Sequence, residues 1–377
     1  MPLSVGVPKE TAAGERRVAI DPDVARRLVS SGFSVAVEQG AGESAYFGDD
    51  LYRDAGAGIV DAETAFHTDV VLKVAPPSDV EVLKLNKGAV YIGFLGPLDQ
   101  PEVSRKLAER GVTALSMELV PRISRAQKMD ALSAMSSIAG YKAVLEAAVA
   151  LPKFFPLLTT AAGTVRPANV LVLGAGVAGL QAIATAKRLG ARVSAYDIRD
   201  AVKEEVQSLG AKFVELAFET QQAEDTGGYA QALAREKAEQ QTKLLVPHVG
   251  ASDVVITTAL IPGRPAPTLV VEEAVAAMRA GSVVIDLAAP NGGNCVRTRP
   301  GEEVKVNGVR VFGPMNLPSE APVNASEMYG RTVMALLTEF SDGETFTPNF
   351  EDEIFHSTCV THDGKVVHQR VSALLAA

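Results

Sequence analysis

Six consecutive residues, Gly174, Ala175, Gly176, Val177, Ala178 and Gly179, spell a G-x-G-x-x-G turn. They follow the apolar run NVLVL and open the helical pattern LQAIATAKRLG. The first glycine permits a tight turn, the second lets a pyrophosphate approach the backbone, and the third lets helix and strand pack closely. Free N–H groups and the dipole at the start of the following helix favour an anion there. The next apolar run ends in Asp197, 23 positions after Gly174. A carboxylate at that point accepts hydrogen bonds from ribose hydroxyls and repels a 2′-phosphate, so the spacing points to NAD(H) over NADP(H). Arg199, two positions on, complicates that preference.

Three other segments carry groups that could act beside such a nucleotide. VITTALIPG ends another predicted strand, and ligands bind beyond the carboxyl ends of such strands. Thr257, Thr258, Ala259 and Leu260 are therefore expected to border the adenosine, the plainer account being a turn set by Pro262 and Gly263. VIDLAAPNGGN, residues 284–294, is expected to face the nicotinamide half, or to be only a glycine-rich turn. RISRAQKMDALSAMSSIAGY, residues 122–141, places Arg122, Gln127, Asp130 and Ser133 near a helix start. By residue types alone, the plainer account is a cap at Ser124 or Asp130, with Met and Leu as core.

The five histidines, His67, His248, His356, His362 and His368, fall away from the predicted carboxyl ends of cleft strands. A dehydrogenase acting on a hydroxy or amino acid usually needs a general acid or base, most often His. All five read as surface or satisfied structural histidines, which leaves Lys73 or an Asp for that role.

The elements that must position these residues alternate. LSVGV, FSVAVEQ, DVVLKVA, AVYIGFLG and VTALSMEL read as strands of a first half, with helices such as DPDVARRLVSSG, capped by Asp21 and Pro22, between them. NVLVLGAG, RVSAYD, KFVEL, DVVITTAL, SVVIDLAA and VRVFG repeat the theme in a second half. Such alternation implies an α/β fold of two Rossmann-like domains with parallel sheets and a cleft between them. A long helix after residue 124 leaves the first domain, and LPKFFPLLTTAAGTVRP is a Pro-punctuated connector. A helix over about residues 325–340 would carry the chain back, followed by a possible hairpin at THDGKVVH. The expected domains are thus residues 1–140 with 326–377, a discontinuous unit, and residues 141–325. Residues 218–228, FETQQAEDTGG, read as a mobile surface loop.

Composition narrows the function classes. The 377 residues carry a net charge of −9, which argues against a nucleic-acid surface. With 47% hydrophobic and 21% charged residues, disorder is excluded as the main state. Cys295 and Cys359 cannot form a disulfide framework and lack metal-ligand spacing, so no metal is expected. MPLSVGVPKETAAGERR has no apolar core of a signal peptide, and the uncharged run 167–186 contains Pro, Asn and turn-spaced glycines. A soluble cytoplasmic chain without a membrane span is expected.

At VGVPKETAAGERRVA, RISRAQKMDALSAMSSIAGYKAV, VLGAGVAGLQAIATAKRLGA, YDIR, GGYA, ITTALIPGRPAP, VIDLAAPNGGNC and CVTHDGKVVH the sequence resembles the NAD(H)-binding component of the proton-translocating nicotinamide nucleotide transhydrogenases. The resemblance covers almost the whole chain, and its Arg–Gln–Asp segment is the most specific element. It implies hydride transfer of the Re/Si-specific type between NAD(H) on this chain and NADP(H) on a partner component. It further implies membrane-spanning partner subunits, a peripheral location on the inner face of the cytoplasmic membrane, and a homodimer. Alanine dehydrogenases are the nearest relatives of that family. They carry a His after the strand corresponding to AVYIGFLG and an Asp in the region of Asn291, and both are missing here.

Carried over by position, the resemblance makes Arg122, Gln127, Asp130 and Ser133 the residues that hold the dihydronicotinamide. Gln127 would reach toward the partner nucleotide, and Tyr229 would lie on a loop that closes over NAD(H). Ala175, Gly176, Val177, Asp197, Ile198, Arg199, Gly228, Gln241 and Leu260 match nucleotide-contacting positions, Gln241 by spacing alone.

Overall fold

The computed structural model describes residues 1–216, 228–261 and 263–376, with the backbone alone for residues 228–237. Two compact units emerge, one formed by Met1–Met135 with Pro318–Ala377, the other by Ser136–Leu317.

The first unit is built on β1 Ser4–Val7, β2 Ser34–Glu38, β3 Gly58–Val60, β4 Val70–Leu72, β5 Val90–Gly93 and β6 Thr113–Ser116. The second begins with a two-stranded hairpin, β7 Leu158–Thr160 and β8 Gly163–Val165, inside the segment expected to be a bare connector. Its main sheet uses β9 Asn169–Leu173, β10 Arg192–Tyr196, β11 Lys212–Phe213, β12 Val254–Thr257, β13 Val283–Asp286, β14 Glu303–Val306 and β15 Val309–Phe312. The chain then adds β16 Cys359–His362 and β17 Lys365–Val366 to the first sheet.

The sheets run β17-β16-β6-β5-β4-β1-β2-β3 and β11-β10-β9-β12-β13-β15-β14. Their central strands pair in parallel, whereas β16 and β17 in the first and β14 in the second are antiparallel. Parallel strands covered on both faces read as unbroken apolar runs, and β4, β5, β6, β12 and β13 are buried at every position. The edge pairs escape that pattern. β14 alternates exposed and half-buried residues, and β3 is a three-residue edge strand.

Among the parallel strands described in each sheet, the order reverses at one point. In the first, the chain moves outward from β1 to β2 and β3, then returns to β4 on the other side. In the second, it moves from β9 to β10 and β11 and returns to β12. Ligands of open α/β sheets bind beyond the carboxyl ends of the strands at such points. Each unit therefore has one place where its topology favours a site.

Candidate functional site

At the switch point of the second sheet, β9 runs directly into the glycine turn. Gly174 has φ of 102°, a left-handed conformation that suits glycine, and a Cβ there would stand 2.5 Å from the Thr258 hydroxyl. A Cβ on Gly179 would lie 1.9 Å from the Gly174 carbonyl oxygen, so the helix Val177–Arg188 can start against β9 only with glycine there. Gly176 differs from both. Its backbone is extended, it is the N-cap residue without a side-chain cap, and a Cβ would meet nothing within 4 Å. The turn is closed where it packs and open where an anion would approach the helix N-terminus. That combination fits a pyrophosphate.

Asp197 follows β10 and is buried beneath the turn. One carboxylate oxygen accepts the Ala175 N–H at 2.7 Å, and the other accepts the Arg199 N–H and Nε–H, each at 2.9 Å. Burial pushes this carboxyl up, but the Arg199 guanidinium and the two backbone N–H groups outweigh it and hold it below the usual range. Asp197 thus braces the glycine turn. Ala175 is buried, while Val177, Ile198 and Leu260 are exposed apolar side chains that follow the adjacent strands β9, β10 and β12. Gln241 is half-buried on the helix Gly228–Gly250. Gly228 and Tyr229 open that helix, and the Tyr229 side chain and residues 217–227 lie outside the described residues.

The segment after β12 corrects one expectation. Thr257 is fully buried with its hydroxyl donated to Asp286, so it cannot border an adenosine. Thr258 spends its hydroxyl on the Gly174 carbonyl oxygen at 3.0 Å. Gly140 was not foreseen at all. A Cβ there would stand 2.1 Å from the Ala178 carbonyl oxygen, so the long helix Ala131–Ala150 packs on the fingerprint helix through a glycine.

In the first unit, residues 122–133 form a 3-10 turn, Ser124–Met129, that leads into the helix Ala131–Ala150. Ala126 and Met129 are buried, whereas Arg122 and Gln127 are exposed. Arg125 pairs with Glu339 at 2.9 Å and Asp352 at 2.6 Å, and Lys128 pairs with Glu339 at 2.9 Å. These pairs tie the turn down on both sides of Gln127. Asp130 caps the helix, accepting the Ser133 N–H at 2.8 Å and its hydroxyl at 2.6 Å. The plain account, a helix cap with Met as core, is therefore correct as far as Asp130 and Met129 go.

The switch point of the first sheet holds an ion cluster. Lys73 follows β4 and is 1% exposed, with its ammonium 2.8 Å from Glu81 and 3.4 Å from Glu10. Glu10, which follows β1, also accepts the Val74 N–H at 2.6 Å, and Glu81 accepts the Thr11 hydroxyl and the Ser78 N–H. The Tyr329 hydroxyl donates to the Lys73 carbonyl oxygen at 2.7 Å. Burial pushes the Glu10 carboxyl above its ordinary value, more than Lys73 lowers it. Burial pushes Glu81 the same way, but there Lys73 and the capping hydrogen bonds prevail and hold it down. Lys73 is committed to this cluster, which argues against its use as a general acid or base.

The turn after β5 carries no histidine and is held by a carboxylate that follows β6. Glu118 accepts the Leu95 and Gly96 N–H groups at 2.9 and 2.7 Å, and burial raises its carboxyl. Among the histidines, His67 bonds the Glu63 carbonyl and His362 the Thr113 hydroxyl. His368 departs from the expectation of a satisfied group, since its buried Nδ1 has no partner. Burial pushes the Cys295 thiol up to about 11 and the Cys359 thiol up to about 12, so neither is an activated nucleophile.

Comparison with known proteins covers both units. Residues 6–139 match the alanine dehydrogenase/PNT N-terminal domain, and residues 143–369 match the alanine dehydrogenase/PNT C-terminal domain. The chain belongs to the alanine dehydrogenase/PNT family. Within the family it is 47% identical over 376 residues to the first part of the NAD(P) transhydrogenase subunit alpha of Rhodospirillum rubrum, covering 97% of this chain and 98% of that one. A solved transhydrogenase structure from Sinorhizobium meliloti superposes with a TM-score of 0.85 at 41% identity, over 97% of this chain and 99% of the other. An L-alanine dehydrogenase structure superposes with a TM-score of 0.83 at 27% identity, covering 99% of both chains. The resemblance read from the sequence and the parallel-dominated α/β fold both stand. Among the described residues, no helix is long and apolar enough to cross a membrane.

Proposed function

We propose that this chain is the NAD(H)-side component of a proton-translocating transhydrogenase, giving hydride to or taking it from NADP(H) on a separate component. The single observation that carries the reading is the contrast between the switch points. One offers a glycine cradle open at Gly176 above Asp197, and the other is filled by Lys73, Glu10 and Glu81. The turn after β5 reads Gly93, Phe94, Leu95 and Gly96, with no histidine to act as acid or base, which supports it further. Transfer between two nicotinamide rings carries a hydride and releases no proton at the site, so it needs no acid or base.

On this reading the helix start at Gly176 and Val177 faces the pyrophosphate, Gly174 and Gly179 make the tight turn that presents it, and Ala175 ties that turn to Asp197. Asp197 orients the ribose, with Ile198, Arg199 and Leu260 around the adenosine; Gly228, Tyr229 and Gln241 follow from the family resemblance. Arg122, Gln127, Asp130 and Ser133 orient the nicotinamide and exclude water while donor and acceptor carbons are held about 3–3.5 Å apart. The anchored turn suits that task, because Arg125 and Lys128 fix its backbone while Gln127 stays exposed. The NADP(H) site and proton conduction belong to partner subunits, which would hold the chain at the inner face of the membrane. A homodimer is expected by the same resemblance.

The test is a mixture of this chain with a transhydrogenase NADP(H)-binding component and an oxidised nicotinamide analogue. NADPH should reduce the analogue only when both proteins are present. No reduction despite tight NADH binding, or oxidation of L-alanine with NAD+ by the chain alone, would overturn the proposal. Gln127→Asn and Asp130→Asn should slow transfer about tenfold or more with NADH affinity little changed, as befits positioning groups.

A further inference from the structure

Asp286, the last residue of β13, is a fully buried carboxylate whose partners are all neutral hydrogen-bond donors. It accepts five hydrogen bonds, from the Thr257 and Thr298 hydroxyls and the N–H groups of Ala288, Asn294 and Cys295. Two left-handed glycines in succession, Gly292 at φ 97° and Gly293 at φ 87°, turn the chain back so that Asn294 arrives beside this carboxylate. A Cβ on Gly293 would stand 2.7 Å from Asp286 Oδ2. The glycines of the 284–294 segment thus serve to close a loop on Asp286.

Asn294 is itself fully buried, and its side chain is spent on backbone. Its Oδ1 accepts the Ala259 N–H at 3.0 Å, and its Nδ2 donates to the Ala259 carbonyl at 2.9 Å and the Pro267 carbonyl at 2.7 Å. Gripping both the N–H and the C=O of one residue imitates the pairing of a neighbouring strand. Ala259 is held this way just beyond the end of β12, while Thr258 before it is tied to the Gly174 carbonyl oxygen. Leu260 comes next and is half exposed.

We propose that Asn294, locked by Asp286, is a positioning residue that fixes the 258–260 segment against the glycine turn and so sets affinity for the adenosine end of NAD(H). The inference rests on the nucleotide reading above. A buried Asn has the reach and the mixed donor–acceptor set for both groups of Ala259, and an unpaired backbone group left behind would let the segment drift.

The experiment is fluorescence titration of the full chain with NADH, beside thermal melting and steady-state transfer with the partner component. Asn294→Ala should weaken NADH about tenfold or more and raise its KM in proportion, with kcat at saturating NADH unchanged. Thr298→Val removes a different donor to Asp286 and should lower Tm while leaving NADH affinity within about twofold. Should Asn294→Ala not fold, Asn294→Ser, which does not reach Ala259, is read in the same way. Wild-type affinity in the Asn294 variant, or an equal loss in Thr298→Val, would reduce Asn294 to a structural role and overturn the proposal. Wild-type protein that fails to bind NADH would instead overturn the nucleotide reading beneath it.

Discussion

The two sheets pose the same problem at their switch points and solve it in opposite ways. Beyond β9 and β10 the chain places glycines, an uncapped helix N-terminus and one braced carboxylate. Beyond β1 and β4 it places a buried lysine between two glutamates, with neighbouring amides and hydroxyls directed at them. The first arrangement leaves backbone donors for a ligand. The second satisfies its charges internally. A shared topology therefore marks where a site is favoured, and the side chains decide whether one exists.

The sharpest way to break this comparison is Lys73→Met. It leaves Glu10 and Glu81 buried without their cation, and removing one partner of such a cluster costs about 3–5 kcal/mol. The urea midpoint should fall accordingly, with NADH affinity held within about twofold. Preserved stability would mean that the cluster is not what closes the first switch point.

Gly176→Ala probes the other side with a smaller effect on the fold. Its backbone suits an L-residue and its Cβ meets no protein atom, so melting should shift by only the few tenths to about 1 kcal/mol of a poorer N-cap. NADH affinity should fall at least about tenfold, because the Cβ points where the pyrophosphate approaches. Gly179→Ala should lose both stability and affinity, since its Cβ would stand 1.9 Å from a backbone oxygen. Equal behaviour of the two variants in titration and melting would refute the division into an open and a packed glycine.

The smallest effect is in pH dependence, and its sign differs between the switch points. Glu10 is raised above its ordinary 4.5, so its contribution favours folding at low pH and is lost as pH rises through its folded value. Asp197 is lowered below its ordinary 3.8, so its contribution is present above that value and is lost as pH falls through its folded value. Urea midpoints measured from pH 3 to pH 8 should show Glu10→Gln gaining relative to wild type toward high pH. Asp197→Asn should lose its disadvantage toward low pH. Slopes of the same sign for both would contradict the assigned environments.

Much of the second unit was legible because its signals are local. Gly174, Gly176 and Gly179 lie within six residues, and Asp197 ends the next strand, so spacing along the chain stands in for spacing in the fold. The central strands were legible as apolar runs, and Asp130 as a cap, for the same reason. The hairpin β7–β8 and the edge strand β14 were not, because largely exposed strands lack an unbroken apolar signature. The pairing of the buried strand β16 with β6 was not, because its partners lie far apart along the chain.

The sequence by itself determined where the glycine turn stands, which carboxylate follows the next strand, and that two α/β units share the chain. Only the tertiary structure decided that Lys73 is bound to Glu10 across 63 positions, that Asn294 grips Ala259 across 35, and that Gly140 must be bare to admit Ala178. Those facts depend on strand register and on how closely two backbones approach. Neither has a local periodicity from which it could be read.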